Sequence, residues 1–190
     1  YTVTPKCTTP IDKDLFTSMV RDNWMNTFMS TEQWAPKNDY KAVTRVAQNN
    51  DSQKWILTDL GSNTYTIQQK NTNRYLDAYE GSGADYSVVT RPSQNNDSQK
   101  WILTDLGSNT YTIQQKNTGR YLDAYEEDLR VNNPNSQKHD YKLVTRLAQN
   151  NDSQKWILTD LGSNTFTIQQ KVNTRYVDAH EDNEVSISGI

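Results

Sequence analysis

Asn50-Asp51-Ser52-Gln53-Lys54-Trp55-Ile56-Leu57-Thr58-Asp59-Leu60-Gly61-Ser62-Asn63-Thr64 is spelled three times in this chain, at 50–64, 96–110 and 151–165. Each copy is followed by an aromatic-Thr-Ile-Gln-Gln-Lys segment and then by Arg-Tyr-(Leu/Val)-Asp-Ala. Self-similarity at a fixed period has to be read before local propensity, because it decides the architecture. Working outward, the units begin at Tyr40, Tyr86 and Tyr141, so the first is 46 residues long and the second 55. The extra nine fall after Tyr125, where Glu126 to Asp140 replaces the shorter Glu80 to Asp85. The repeats are therefore 40–85, 86–140 and 141–190, behind an N-terminal extension at 1–39.

Inside each repeat the apolar period is two. In the first, Tyr40 to Arg45 reads as a strand and Gln48 to Ser52 as a polar turn. Gln53 to Leu60 is a second strand, closed by the hairpin-type turn Gly61-Ser62-Asn63. Tyr65 to Lys70 is the third, and Asn71-Thr72-Asn73 leads into a fourth at Arg74 to Tyr79. Four strands taken three times predict an all-β fold of twelve short strands in pseudo-threefold lobes. The closed form of that pattern is a β-trefoil, a six-stranded barrel completed by three hairpins. Closure leaves no open sheet edge, whereas three propeller blades would not close a ring. A solenoid needs atypical end repeats, and these copies are too alike for that.

Composition agrees. At 190 residues with 33% hydrophobic side chains, the chain suits many half-buried strands better than one thick core. The net charge of −3 and the scattered lysines and arginines give no basic patch for nucleic acid. No stretch approaches the roughly 20 apolar residues of a membrane span. Cys7 is the single cysteine, which excludes an internal disulfide. Starting at Tyr1 with no charged-then-apolar leader, the chain fits a processed mature protein and equally a trimmed one, and the expectation is a secreted or extracellular-acting protein. The Asn-Asp-Ser sequons at Asn50, Asn96 and Asn151 read as one repeated turn rather than three glycosylation sites.

Within 1–39, Ile11, Leu15 and Met19 share a helical stripe with Phe16, Val20, Trp24 and Phe28. Thr9 caps it ahead of Pro10. The spacing predicts an amphipathic helix over 11–29, packing on the repeats or docking a partner chain or domain, with Thr31 to Asp39 as linker. A rival reading aligns 20–28 with 158–166 as a decayed repeat.

Gln53-Lys54-Trp55, Gln99-Lys100-Trp101 and Gln154-Lys155-Trp156 place one Gln-x-Trp in each lobe. With a (Leu/Val)-Asp strand in each lobe as well, residues 40 to about 184 resemble the ricin B-type lectins, a β-trefoil carbohydrate-binding family. The resemblance implies sugar binding, usually galactose-type, in a shallow pocket on each competent lobe, without catalysis or cofactor. Alternation sends Trp55, Trp101 and Trp156 inward as core residues. The glutamine two positions earlier shares that side and can tie adjacent loops.

The expected sugar site lies on the fourth strand. There Leu76 and Ala78 face in, so Tyr75, Asp77 and Tyr79 are expected to face out, as are Tyr121, Asp123 and Tyr125, and Tyr176, Asp178 and His180. A carboxylate beside a ring suits a sugar, whose hydroxyls donate to the acid while its C–H face lies on the ring. By the resemblance Asp77 works with Asn95, Asn96 and Gln99, and Asp123 with Asn150, Asn151 and Gln154. Asp178 has no later segment, so its partners must be Asn49, Asn50 and Gln53 from the other end of the domain. The chain departs from the family in carrying Val43, Val89 and Val144, followed by Thr and Arg, where an aromatic platform is usual. It also has Ser52, Ser98 and Ser153 where the family often has Asn. The ring must then come from Tyr79, Tyr125 and His180, and polar contacts from the asparagines and Arg45, Arg91 and Arg146.

Catalytic chemistry is poorly supplied. His139 and His180 have no nucleophile obviously paired to them, and no metal-ligand spacing or cofactor motif appears. Asp77 and Asp123 would sit on separate lobes, beyond the roughly 5–10 Å of a glycosidase pair. The expectation is a multivalent, non-catalytic glycan-binding protein. Two alternatives stand beside it: the glycan-targeting module of a larger toxin or glycoside hydrolase, and a trefoil protease inhibitor using the loop at 126–139.

Overall fold

The computed structural model divides the chain into two compact units, Tyr1–Lys37 and Asn38–Ile190. It describes residues 39–78, 85–125 and 140–184, without the side chains of Tyr125 and of 180–184. The expected helix at 11–29, its rival reading at 20–28 and the loop at 126–139 lie outside the described residues. Among the described residues the chain forms twelve strands and three single 3-10 turns, and no helix there is long and apolar enough to cross a membrane.

The first repeat gives β1 (Tyr40–Arg45), β2 (Trp55–Asp59), β3 (Thr64–Gln69) and β4 (Tyr75–Ala78). The second gives β5 (Tyr86–Arg91), β6 (Lys100–Asp105), β7 (Thr110–Gln115) and β8 (Tyr121–Tyr125). The third gives β9 (Tyr141–Arg146), β10 (Trp156–Asp160), β11 (Thr165–Gln170) and β12 (Tyr176–Glu184). One boundary differs from the sequence pattern. Gln53 does not open a strand but ends the 3-10 turn Asp51–Gln53, as Gln99 and Gln154 end theirs.

Pairing closes two layers. The hairpins β2–β3, β6–β7 and β10–β11 are joined edge to edge by β3–β6, β7–β10 and β11–β2. These six strands form a ring without a free edge. Above it stand β4–β5, β8–β9 and β12–β1, which meet through β1–β5, β5–β9 and β1–β9. The pair β12–β1 joins the two ends of the domain, with Val43 opposite Asp178.

The ring is filled in tiers, as alternation requires. Trp55, Trp101 and Trp156 have no accessible surface, and below them lie Ile67, Ile113 and Ile168 with Leu57, Leu103 and Leu158. Burying an indole N–H without an acceptor is costly. Each indole Nε1 accordingly donates at 3.0 Å to a carbonyl of the layer above: Trp55 to Val177, Trp101 to Leu76 and Trp156 to Leu122. The tryptophans thus fix cap to barrel as well as filling it.

The hairpin tips complete the ring. Gly61, Ser62 and Asn63 all have positive φ, +88°, +52° and +55°, the left-handed region that glycine and asparagine enter most cheaply. Asp59 Oδ1 accepts the Gly61 N–H at 2.7 Å. The Asn63 carbonyl then accepts the Leu103 N–H of the next lobe at 2.9 Å, with Asn109 to Leu158 and Asn164 to Leu57 repeating the bond.

Candidate functional site

The expected outward carboxylates are not on the surface. Asp77, Asp123 and Asp178 have no accessible area, although Leu76 and Ala78 beside them face the core as expected. Alternation fails here because β4, β8 and β12 are covered on both faces. The core takes one face, and the loop after β5, β9 or β1 folds back across the other.

The Gln-x-Trp glutamine holds that loop down. Gln99, 2% exposed, accepts the Gln94 N–H at 2.7 Å and donates to the Pro92 carbonyl at 3.0 Å and to Asp77 Oδ2 at 3.2 Å. Gln154 does the same with Gln149, Leu147 and Asp123, the last at 3.4 Å. Gln53 joins Gln48, Val46 and Asp178, the last at 3.2 Å. The structure therefore brings Asp178 to Gln53 across the junction of the chain ends.

Each buried acid also faces an arginine of the neighbouring lobe. Arg91 Nη1 lies 3.6 Å from Asp77, while its Nε and Nη2 donate to Asp39 at 2.8 and 2.6 Å. Arg146 stands between Asp123 and Asp85, and Arg45 between Asp178 and Asp140. These arginines occupy the strand on which the family usually sets an aromatic ring, and they face the carboxylate themselves. Burial pushes the Asp123 carboxyl above the ordinary range, outweighing Ser153, Arg146, the Ala124 N–H and Gln154, which pull it down.

The asparagines remain outside. Asn49, Asn50, Asn95, Asn96, Asn150 and Asn151 are exposed, and their described side-chain bonds are local rather than to the aspartates. Asn96 Nδ2 donates to Gln94 Oε1 at 3.1 Å, and Asn96 Oδ1 accepts from Ser98 Oγ at 2.8 Å. Asn50 and Asn151 repeat this with Gln48 and Ser52, and with Gln149 and Ser153. Ser52, Ser98 and Ser153 thus hold the turn in shape. Of the expected rings, Tyr79 lies outside the described residues, as do the side chains of Tyr125 and His180.

A different ring stands near the asparagines. A groove of about 460 Å³ runs along the seam between the first two lobes, lined by Tyr75, Asn95, Asn96, Gln99, Lys100 and Leu60 among others. Tyr75 comes from β4, Leu60 from the end of the β2 hairpin, and the rest from the Gln99-held loop and β6. Leu60 is 48% exposed, leaving an apolar lip. Lys100 Nζ donates to Asp97 at 2.8 Å. The positions equivalent to Tyr75 are Tyr121 and Tyr176, both half-buried.

Two sets of supporting residues were missed in the sequence. Gln69, Gln115 and Gln170 are fully buried. Gln115 Nε2 donates to the carbonyls of Ala78 and Ser98 at 2.7 and 2.8 Å, bridging cap strand and site loop. Gln69 bridges Ala179 and Ser52, and Gln170 bridges Ala124 and Ser153. Their place two residues after Ile67, Ile113 and Ile168 was the available sign that they point inward. Arg74, Arg120 and Arg175 lie 4.2–4.3 Å over the rings of Tyr40, Tyr86 and Tyr141, a contact no motif announced.

With this geometry in place, comparison with known proteins identifies the lineage. Among solved structures, the designed threefold-symmetric protein ThreeFoil is similar at 24% identity and a TM-score of 0.51, over 65% of this chain and 99% of that one. The exo-β-1,3-galactanase 1,3Gal43A of Clostridium thermocellum is similar at 19% identity and 0.47, over 65% of this chain and 30% of that one. A Polyporus squamosus lectin is similar at 15% and 0.41, over 70% and 45%. No curated protein matches the sequence. The model of the ricin-type beta-trefoil lectin domain-like family matches residues 25–90 and 51–133, together more than half of the chain. Those matches fall on the lobes whose Gln-x-Trp clasps and closed ring are described above, and the chain belongs to that family.

Proposed function

We propose that this domain is a carbohydrate-binding module without catalytic activity, and that it takes glycans in the seam grooves rather than on the aspartates. Family membership supports the class. The observation that carries the location is the groove itself, where the Tyr75 ring, the exposed amides of Asn95 and Asn96 and the Lys100 ammonium border one space. A pyranose presents an apolar C–H face and a rim of hydroxyls, and an aromatic ring beside amide and ammonium groups complements both. Asp77, Asp123 and Asp178 act as positioning residues. They hold Gln99, Gln154 and Gln53, and through them the loops that carry the asparagines.

Repetition of the sequence extends the proposal to three grooves, with Tyr121, Asn150 and Asn151 in the second and Tyr176, Asn49 and Asn50 in the third. Three weak sites on one rigid domain gain avidity on a surface displaying many glycans, such as the outside of a cell. A glycan array rich in galactose-type termini, which the family favours, tests the reading. Wild-type protein is expected to bind a defined subset. A Tyr75→Ala/Tyr121→Ala/Tyr176→Ala variant that keeps its fold is expected to lose that binding. A blank array for wild-type protein refutes the function, and undiminished binding by the folded variant refutes the location.

A further inference from the structure

A second cavity lies away from the seam grooves, at the open mouth of the barrel on the pseudo-threefold axis. It is a basin of about 900 Å³, toward the upper end of the roughly 300–1,000 Å³ of small-molecule sites. Its walls are the last inward-facing tier of the ring. Asp59, Asp105 and Asp160 stand directly across their hairpins from Tyr65, Tyr111 and Phe166, and all six line the space. The floor is the leucine tier, 6% exposed.

The three aspartates stand exposed at the rim of the basin, where polar side chains are ordinary but three charges of one sign call for a reason. Part of the reason is local, since one oxygen of each aspartate accepts a glycine N–H at 2.7 Å in the hairpin turn. Asparagine would serve that bond equally well, so the turn does not account for three negative charges. Among the described residues no lysine or arginine lines the basin. Burial first, and then the charge of Asp59, hold the Tyr65 hydroxyl above the usual tyrosine range. Among the described residues no group of three or more His, Cys, Asp or Glu could hold a metal ion. The carboxylates are therefore spread round the mouth instead of converging on one point charge. Spaced anions over aromatic faces and an apolar floor suit several ammonium groups joined by methylene chains, each drawn to a carboxylate or a ring face.

We propose that the barrel mouth is a binding site for an aliphatic polyamine, independent of the glycan grooves. Spermidine, with three ammonium groups, is the probe. Isothermal titration at low ionic strength is expected to give one molecule per chain, and ring-proton resonances of Tyr65, Tyr111 and Phe166 are expected to shift on addition. The variant Asp59→Asn/Asp105→Asn/Asp160→Asn, which keeps the glycine acceptors, is expected to bind at least about tenfold more weakly. The control Asp51→Asn/Asp97→Asn/Asp152→Asn removes as many charges outside the basin and is expected to bind within about twofold of wild type. Equal weakening in both variants, undiminished binding in the first, or absence of wild-type binding each overturns the proposal. The ring shifts are measured on wild-type protein, so their absence overturns it even if a variant fails to fold.

Discussion

Asp123 sits at a balance point between solvation and charge. Its neighbours Ser153, Arg146 and Gln154 favour the ionised carboxylate, and burial outweighs them. A carboxyl whose folded-state pKa is raised binds its proton more tightly in the folded than in the unfolded chain. Its contribution to stability is therefore most favourable at low pH and is lost as pH rises from the ordinary carboxylate range through the raised value. Asp51, Asp97 and Asp152 run the other way. Hydrogen bonds from Lys54 and Lys70, and from their counterparts in the other lobes, hold them low, so their contribution is lost as pH falls. The substitution Asp123→Asn removes the first term and leaves the second. In urea denaturation, the stability of wild type relative to the variant is expected to decline as pH rises above the ordinary carboxylate range. A gap that stays constant or widens over that rise contradicts the account. The same residue marks where the sequence stopped being legible at the site. The partner glutamines were implied by the family resemblance, and closure of the repeats extended it to Gln53 for Asp178, because the repeat fixes which segment follows which strand. The burial could not be read, because a period of two distinguishes the faces of a strand without saying whether a loop covers the second one.

At the scale of the element, three nearly identical turns carry different residues at one left-handed position. Asn73 has φ +57°, Gly119 +68° and Thr174 +58°. Threonine is branched at Cβ and is the least suited of the three to that conformation. Its backbone bonds are the same as in the other lobes: the Thr174 N–H donates to the Gln170 carbonyl at 2.9 Å, as Asn73 donates to Gln69 and Gly119 to Gln115. The carbonyl at this position accepts the preceding glutamine side chain in all three lobes. Nothing but the strain should therefore change in Thr174→Gly, which is expected to stabilise the domain by about 1 kcal/mol. A lower midpoint in urea at unchanged slope counts against this. The strands on either side were legible to within about two residues, since Trp55, Leu57, Ile67 and Leu76 mark the inward face. The 3-10 turn at Asp51–Gln53 was not. Three residues are too few to show a helical period, and Asn-Asp-Ser reads equally well as any polar turn.

For the whole molecule, the consequence of threefold closure is that the last strand completes the first lobe. β1 pairs with β12 over most of its length, the Trp55 indole is bonded to Val177, Gln53 to Asp178 and Gln69 to Ala179. Arg45 lies between Asp140 and Asp178, and Arg175 rests on Tyr141 while donating to the Thr44 carbonyl. The other two seams carry the same contacts but are also covalently continuous through the chain. This one is held by non-covalent bonds alone, and the repeats alone predicted that it would form. A solenoid would lose one repeat's share of stability on truncation and keep the rest. A closed ring loses the acceptor of a buried indole, both partners of Gln53 and Arg45 at residue 178, and the cover over its core together, each a defect of roughly 1–3 kcal/mol or more against a total stability of about 5–15 kcal/mol. Ending the chain at Arg175 is therefore expected to abolish the cooperative urea transition of all three lobes, with tryptophan fluorescence and near-ultraviolet circular dichroism lost together. A peptide spanning 174–190 added in trans is expected to restore part of that signal in proportion to its concentration. A truncated chain that still unfolds in one sharp transition near the wild-type midpoint would show that the lobes stand alone, and that the meeting of the first and last strands is incidental to the fold.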